Sequence, residues 1–201
     1  MDLILMRHPP LSVEAGVCYG GTEVPLAMSA ESGAHALAQR LEQLGVPAVQ
    51  RLLSSPLTRC ATVAAWLAQQ WGCAWQADER LREMHFGVWE GQRWDAIARS
   101  ELDAWAVDFM TACPHGGESV AQFAARVAQW LEALRQPLQE AQRKVAPVHV
   151  VTHAGVMRAV AAQVLALPLE RCLSWSLEMG SVVWLRWDEA TGDGSLVRWN
   201  G

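Results

Sequence analysis

Short apolar runs alternate with amphipathic segments along the 201-residue chain, and that alternation constrains the fold more than any other feature of the sequence. Strands that take turns with helices build a mostly parallel sheet covered on both faces. "DLILM" (Asp2 to Met6) is the first expected strand. Ser29 can cap a helix whose Leu37, Leu41 and Leu44 share one face, and Gly45 ends it. "VQRLLSS" (Val49 to Ser55) reads as the second strand. Ser55 then caps a helix with Pro56 in its first turn and Gly72 past its end. "VHVVT" (Val148 to Thr152) is a further strand, followed by a helix over Val156 to Leu165. "SVVWLRW" and "SLVRW" close the chain as a hairpin around "DEATGDG". The expected fold class is α/β, a Rossmann-like three-layer sandwich.

Between Leu81 and Glu118 the pattern weakens, punctuated by Gly87, Gly91, Pro114, Gly116 and Gly117. This stretch reads as a small lid-like insertion with a helix near Arg93 to Val107. Ser119 and Gln122 form a capping box ahead of a helical stripe of Val120, Phe123, Val127, Trp130, Leu131 and Leu134. With no internal repeat, residues 1–201 are read as one domain carrying an insertion over about 81–118.

Two strands end in the same way. "LILM" runs into Arg7 and His8, and "VHVVT" runs into His153, Ala154 and Gly155 at the start of a helix. Ligands of open parallel sheets gather at the carboxyl ends of strands, where helix N-termini offer free N–H groups to anions. Arg59, early in the second helix, can reach the same crevice. Two guanidiniums, two imidazoles and helix N-termini suit a dianion such as phosphate.

Composition excludes several other classes. A net charge of -5 gives no electrostatic footprint for nucleic acid. Five scattered cysteines (Cys18, Cys60, Cys73, Cys113, Cys172) without a CxxC pair suggest neither a disulfide framework nor a zinc site. No signal peptide precedes the first strand and no apolar stretch reaches the ~20 residues that span a bilayer, so a cytoplasmic protein with no membrane partner is expected.

Five motifs in order, "LMRH", "SSPLTRCATVAAWL", "LREMHFGVWEG", "GGES" and "VTHAG", resemble the histidine phosphatase (phosphoglycerate mutase-like) superfamily over Leu3 to about Arg158. Within it, "GVCYGGTEVPL" (Gly16 to Leu26) is most similar to the alpha-ribazole phosphatases of cobalamin nucleotide-loop assembly. The resemblance implies a metal-independent phosphomonoesterase with a small-molecule substrate and no cofactor. It casts His8 as nucleophile, Arg7, Arg59, His153 and the Ala154 backbone as phosphate ligands, and Glu83 as the general acid that later activates water. Glu83 must then be protonated near neutral pH, which calls for burial or a neighbouring anion such as the substrate phosphate. Glu79 and Glu90 compete for that role.

The chain departs from the superfamily after the histidine. A glycine, a hydroxyl residue and an asparagine give way to Pro9, Leu11 and Glu14, and neither Pro9 nor Pro10 can donate an N–H. An inward Glu14 carboxylate would repel phosphate. Substrate contacts are therefore expected from Ser12, Cys18, Tyr19 or Gly20, and from His115 in the insertion. His35 and His149 read as structural or exposed, and His85, in the insertion, as either exposed or a further substrate contact. Trp66, Trp71, Trp130 and Trp184 are expected to pack against the sheet or to line an interface such as that of a homodimer. Trp89, Trp94 and Trp105 suit either lid packing or stacking on an aromatic leaving group. Two rival readings remain: a broad sugar-phosphate phosphatase or mutase, and a non-catalytic phosphate-binding module.

Overall fold

The computed structural model describes residues 1–135, 147–188 and 191–201. Six strands, β1 (Asp2–Arg7), β2 (Arg51–Ser54), β3 (Trp75–Ala77), β4 (Val148–Thr152), β5 (Val182–Trp187) and β6 (Gly194–Arg198), form one sheet in the order β3-β2-β4-β1-β5-β6. The first four run parallel, β5 pairs antiparallel with β1, and β6 pairs antiparallel with β5. The closing hairpin is present, with residues 189–190 of its expected turn outside the described residues.

Side chains of the central strands alternate between two cores, as the two-residue period of a strand requires. Ile4, Met6, Leu52 and Val151 face α1 (Ala30–Leu44) and α2 (Thr58–Trp71). Leu3, Leu5, Leu53, Val148 and Val150 face α4 (Val120–Arg135) and α5 (Ala154–Val164). The three layers expected from the sequence follow. Ser29 caps α1 through the Ser32 N–H, Gly45 ends that helix in the left-handed region, and Ser119 and Gln122 exchange the two bonds of a capping box.

Three expectations are corrected. The helix α2 begins at Thr58, not at Ser55: the Ser55 N–H still pairs with the Val151 carbonyl at 3.0 Å, and the chain bends at Pro56 and Leu57 before the helix starts. In the insertion, helix α3 spans only Arg99–Val107, because residues 93–98 turn around an Arg93 side chain held by Asp95 and the Ala15 carbonyl. Strand β3 and the short helix α6 (Leu169–Leu173) carry no clear sequence period and were not anticipated.

His149 of β4 is buried beside Trp71, ring centroids 5.8 Å apart, and burial pushes its imidazole down to about 4. An unfolded histidine titrates near ~6.5. Below that pH the unfolded chain takes up a proton the folded chain refuses, so stability is fully present above about 6.5 and falls as pH drops toward 4. The loss from this residue is on the order of 3 kcal/mol. His149→Phe is expected to flatten the acid side of a plot of Tm against pH, and an unchanged slope would contradict the assignment.

Candidate active site

The carboxyl ends of β1, β2 and β4 converge on one crevice. His8 follows β1 directly, its N–H donating to the Thr152 carbonyl at 3.0 Å, and its ring lies 5.3 Å from that of His153, centroid to centroid. Both imidazoles are 1% exposed. Burial, with Arg59 and Arg7 nearby, lowers His8 to about 3 despite its bond to Pro9, and lowers His153 well below the ordinary range. Both rings are therefore neutral at pH 7.

Pro9 explains part of the departure after His8. Its carbonyl lies 2.9 Å from His8 Nδ1 and accepts from that nitrogen when it is protonated, which leaves Nε2 with a free lone pair. Helix α1 comes so close here that a Cβ on Gly33 would meet the Pro9 ring at 2.6 Å. A rigid ring packed on a helix fixes the carbonyl, and the carbonyl fixes the imidazole. Pro10 accepts from the Ala27 N–H at 2.9 Å. Glu14 is exposed on the side of Arg93.

Arg59 is 1% exposed and held on three sides. Its Nε donates to His153 Nδ1 at 3.3 Å, and Nη1 and Nη2 donate to the Thr22 and Gly20 carbonyls at 2.7 Å each. A guanidinium carries five N–H groups, so two remain for an oxyanion. Arg7 donates to the Leu177 carbonyl at 2.5 Å, and its buried Nε bonds nothing among the described residues. His153 Nε2 lies 2.8 Å from Ser55 Oγ, which fixes the ring from the other side. Ala154 opens α5, where amides of the first turn lack helical acceptors.

Glu83 enters at the N-terminus of α5. Its Oε2 accepts from the Gly155 N–H at 3.0 Å and its Oε1 from the Met84 N–H at 3.0 Å. Arg126 braces the segment: it forms a bidentate pair with Glu118 at 2.8 Å and donates to the carbonyls of Arg80 and Arg82. The competing acids are placed elsewhere. Glu79 is exposed beside Arg82. Burial alone would raise the Glu90 carboxyl, but bonds from Thr22, Gly21 and Phe86 outweigh it and hold it below the usual range. Glu90 thus stitches residues 21–22 to the insertion.

A Cβ on Gly155 would lie 2.2 Å from Glu83 Oε1. Gly155→Ala is therefore expected to displace the carboxyl and slow hydrolysis of alkyl phosphates by about 10- to 100-fold, with a smaller loss on nitrophenyl phosphate. Alanine favours a helix over glycine by roughly 1 kcal/mol, so lost helix stability is not the expected cause. Equal losses on both substrates would contradict this reading of the glycine.

The substrate-contact expectations are largely redirected. Cys18 packs its thiol against Trp89 and Ile97, and burial pushes that thiol up to about 11. His115 is fully buried among Trp89, Phe86 and Trp105, with Nδ1 accepting from the Gly117 N–H. Neither side chain lines the crevice. Gly20 acts through its carbonyl on Arg59, and the Tyr19 ring lies 5.7 Å from the Arg59 guanidinium. Ser12 is exposed. Trp89, Trp94 and Trp105 pack on one another in the insertion, whereas Trp66 is exposed. Ser55, Arg126 and the carbonyls of Gly20, Thr22 and Leu177 were missed because each works by holding another residue. The Glu118 of "GGES" followed by an arginine two helical turns later was the one readable trace of the Arg126 brace.

Open donors on two guanidiniums, a neutral imidazole with a free Nε2 and a carboxyl at a helix N-terminus make a crevice for phosphoryl groups. The model of the histidine phosphatase superfamily (branch 1) matches residues 3–201, and the chain belongs to that superfamily. It is 31% identical over 209 residues to glucosyl-3-phosphoglycerate phosphatase from Mycobacterium tuberculosis, covering 98% of this chain and 91% of the relative. The fold superposes on the alpha-ribazole phosphatase from Shigella flexneri with a TM-score of 0.83 at 23% identity, over 100% of this chain and 96% of that one. A mycobacterial glucosyl-3-phosphoglycerate phosphatase structure matches with a TM-score of 0.77 at 28% identity, over 100% and 98%. The chain is thus a phosphoric monoester hydrolase of this superfamily. Among the described residues no helix is long and apolar enough to cross a membrane, and no three His, Cys, Asp or Glu side chains gather as metal ligands.

Proposed function

We propose that the protein hydrolyses phosphomonoesters without a metal, through a phosphohistidine on His8. The observation that carries this reading is the His8–Pro9 pairing at 2.9 Å in a buried, neutral ring, which aims a lone pair on Nε2 into a crevice with unengaged guanidinium donors. His8 Nε2 attacks phosphorus while the bond to the leaving oxygen breaks, and Glu83 gives that oxygen its proton. Arg7, Arg59 and the α5 amides balance the charge of the equatorial oxygens. Glu83, now a carboxylate, takes a proton from water. The hydroxide cleaves the P–N bond and returns inorganic phosphate and neutral His8.

The substrate proposed is alpha-ribazole 5′-phosphate, supported by the likeness of Gly16 to Leu26 to that group of phosphatases. The 31% identity to a glucosyl-3-phosphoglycerate phosphatase favours a second reading, a sugar-linked phosphoglycerate. Phosphate release measured on both compounds, on ribose 5-phosphate and on 3-phosphoglycerate separates them. The ribazole ester is expected to have the highest kcat/KM, with chelators without effect. A higher value for the glucosyl compound would transfer the assignment to it, and a strict need for added metal would overturn the mechanism.

A further inference from the structure

Beside Glu83 lies a hollow of about 440 Å³ that the phosphate crevice does not account for. Its walls come from the insertion, α4 and α6: Phe86, Trp105, Phe109, Phe123, Leu169 and Leu173. Glu83, Gly155 and Arg158 stand among them, so the hollow reaches the carboxyl assigned to protonate the leaving oxygen. This volume lies in the range of small-molecule sites.

Its chemistry is one-sided. Glu83 and Arg158 are the only ionisable side chains lining it among the described residues. Arg158 is engaged, its Nε and Nη2 donating to the Trp175 carbonyl at 3.3 and 3.0 Å. A carboxylate or second phosphate on the alcohol would lose its water against the apolar rings, with Arg158 as the one cation lining the hollow among the described residues. The rings are fixed in tilted and edge-to-face contacts, Trp105 lying 5.4 Å from Phe109 and 6.2 Å from Phe86. Trp105 Nε1 is buried and bonds nothing among the described residues.

Resting on the phosphatase reading above, we infer that this hollow is the leaving-group site and that the substrate class is a phosphomonoester of an alcohol bearing a bulky, apolar ring system. Selectivity arises from burial of that ring beside Glu83, since every monoester presents the same dianion to Arg7 and Arg59. Each methylene that enters such a site raises kcat/KM by about threefold, and a phenyl group by about 100-fold.

The test compares ethyl phosphate, 2-phenylethyl phosphate and 3-phosphoglycerate by phosphate release from the intact protein. The phenylethyl ester is expected to exceed the ethyl ester by about 100-fold in kcat/KM and to exceed 3-phosphoglycerate as well. Leu173→Glu and Trp105→Ala are each expected to reduce that ratio about tenfold or more; a ratio within one enzyme cancels any loss of folded protein. A ratio within threefold, or one insensitive to both variants, would overturn the inference while leaving the phosphatase standing. A large ratio with alpha-ribazole 5′-phosphate no better than ribose 5-phosphate would uphold the site and remove the ribazole assignment. Absence of phosphate release from every monoester would overturn both.

Discussion

His8→Ala is expected to lower kcat/KM for every phosphomonoester by about 10⁴-fold or more, because removing a covalent nucleophile removes the reaction path and not merely a contact. Binding of inorganic phosphate should survive, since Arg59 keeps its three protein acceptors and Arg7 its bond to Leu177 without help from the His8 ring. The variant also empties a buried site whose ring packs on His153, so a loss of roughly 1–3 kcal/mol in stability is expected. Activity should therefore be compared at a temperature where both proteins are folded by circular dichroism. Retained turnover would show that another group attacks phosphorus.

The second large effect belongs to Glu83. A general acid contributes about 10²–10⁴ in rate when the departing oxygen is a basic alkoxide and far less when it is a stabilised phenolate. Glu83→Gln is thus expected to slow ribose 5-phosphate or ribazole phosphate by that range and nitrophenyl phosphate by roughly tenfold or less. Part of the small loss is structural. The carboxylate accepts from both the Gly155 and Met84 amides, and a glutamine can accept from only one of them with its carbonyl oxygen. Equal losses on the two leaving groups, or a larger selective loss from Glu79→Gln, would mean that the proton comes from elsewhere.

The strands ending in Arg7–His8 and Thr152–His153 were readable because burial of a parallel strand on both faces leaves a local mark: an unbroken apolar run that stops where the site begins. Arg59 was readable for a similar reason, lying in the first turn of a helix that starts beside that site. The insertion was not. Its fold depends on aromatic contacts between distant segments, so the sequence could not tell that Cys18 and His115 turn into the Trp89 cluster. Ser55 looked like a helix cap because serine before proline usually is one. Here its hydroxyl lies against His153 and its backbone continues the sheet pairing, so tertiary bonding overrides the local signal. The prolines after His8 looked like a loss of phosphate contacts, yet the Pro9 carbonyl is the group that sets the imidazole.

The account turns on a covalent intermediate at a named atom. Rapid acid-free quenching of a reaction with phosphorus-labelled substrate, followed by peptide mapping, tests it directly. The account predicts label on the peptide containing His8, stable in alkali and released in acid, formed and lost at rates that match turnover and absent in His8→Ala. Turnover at full rate with no protein-bound label, or label confined to a serine, cysteine or carboxylate, would contradict it.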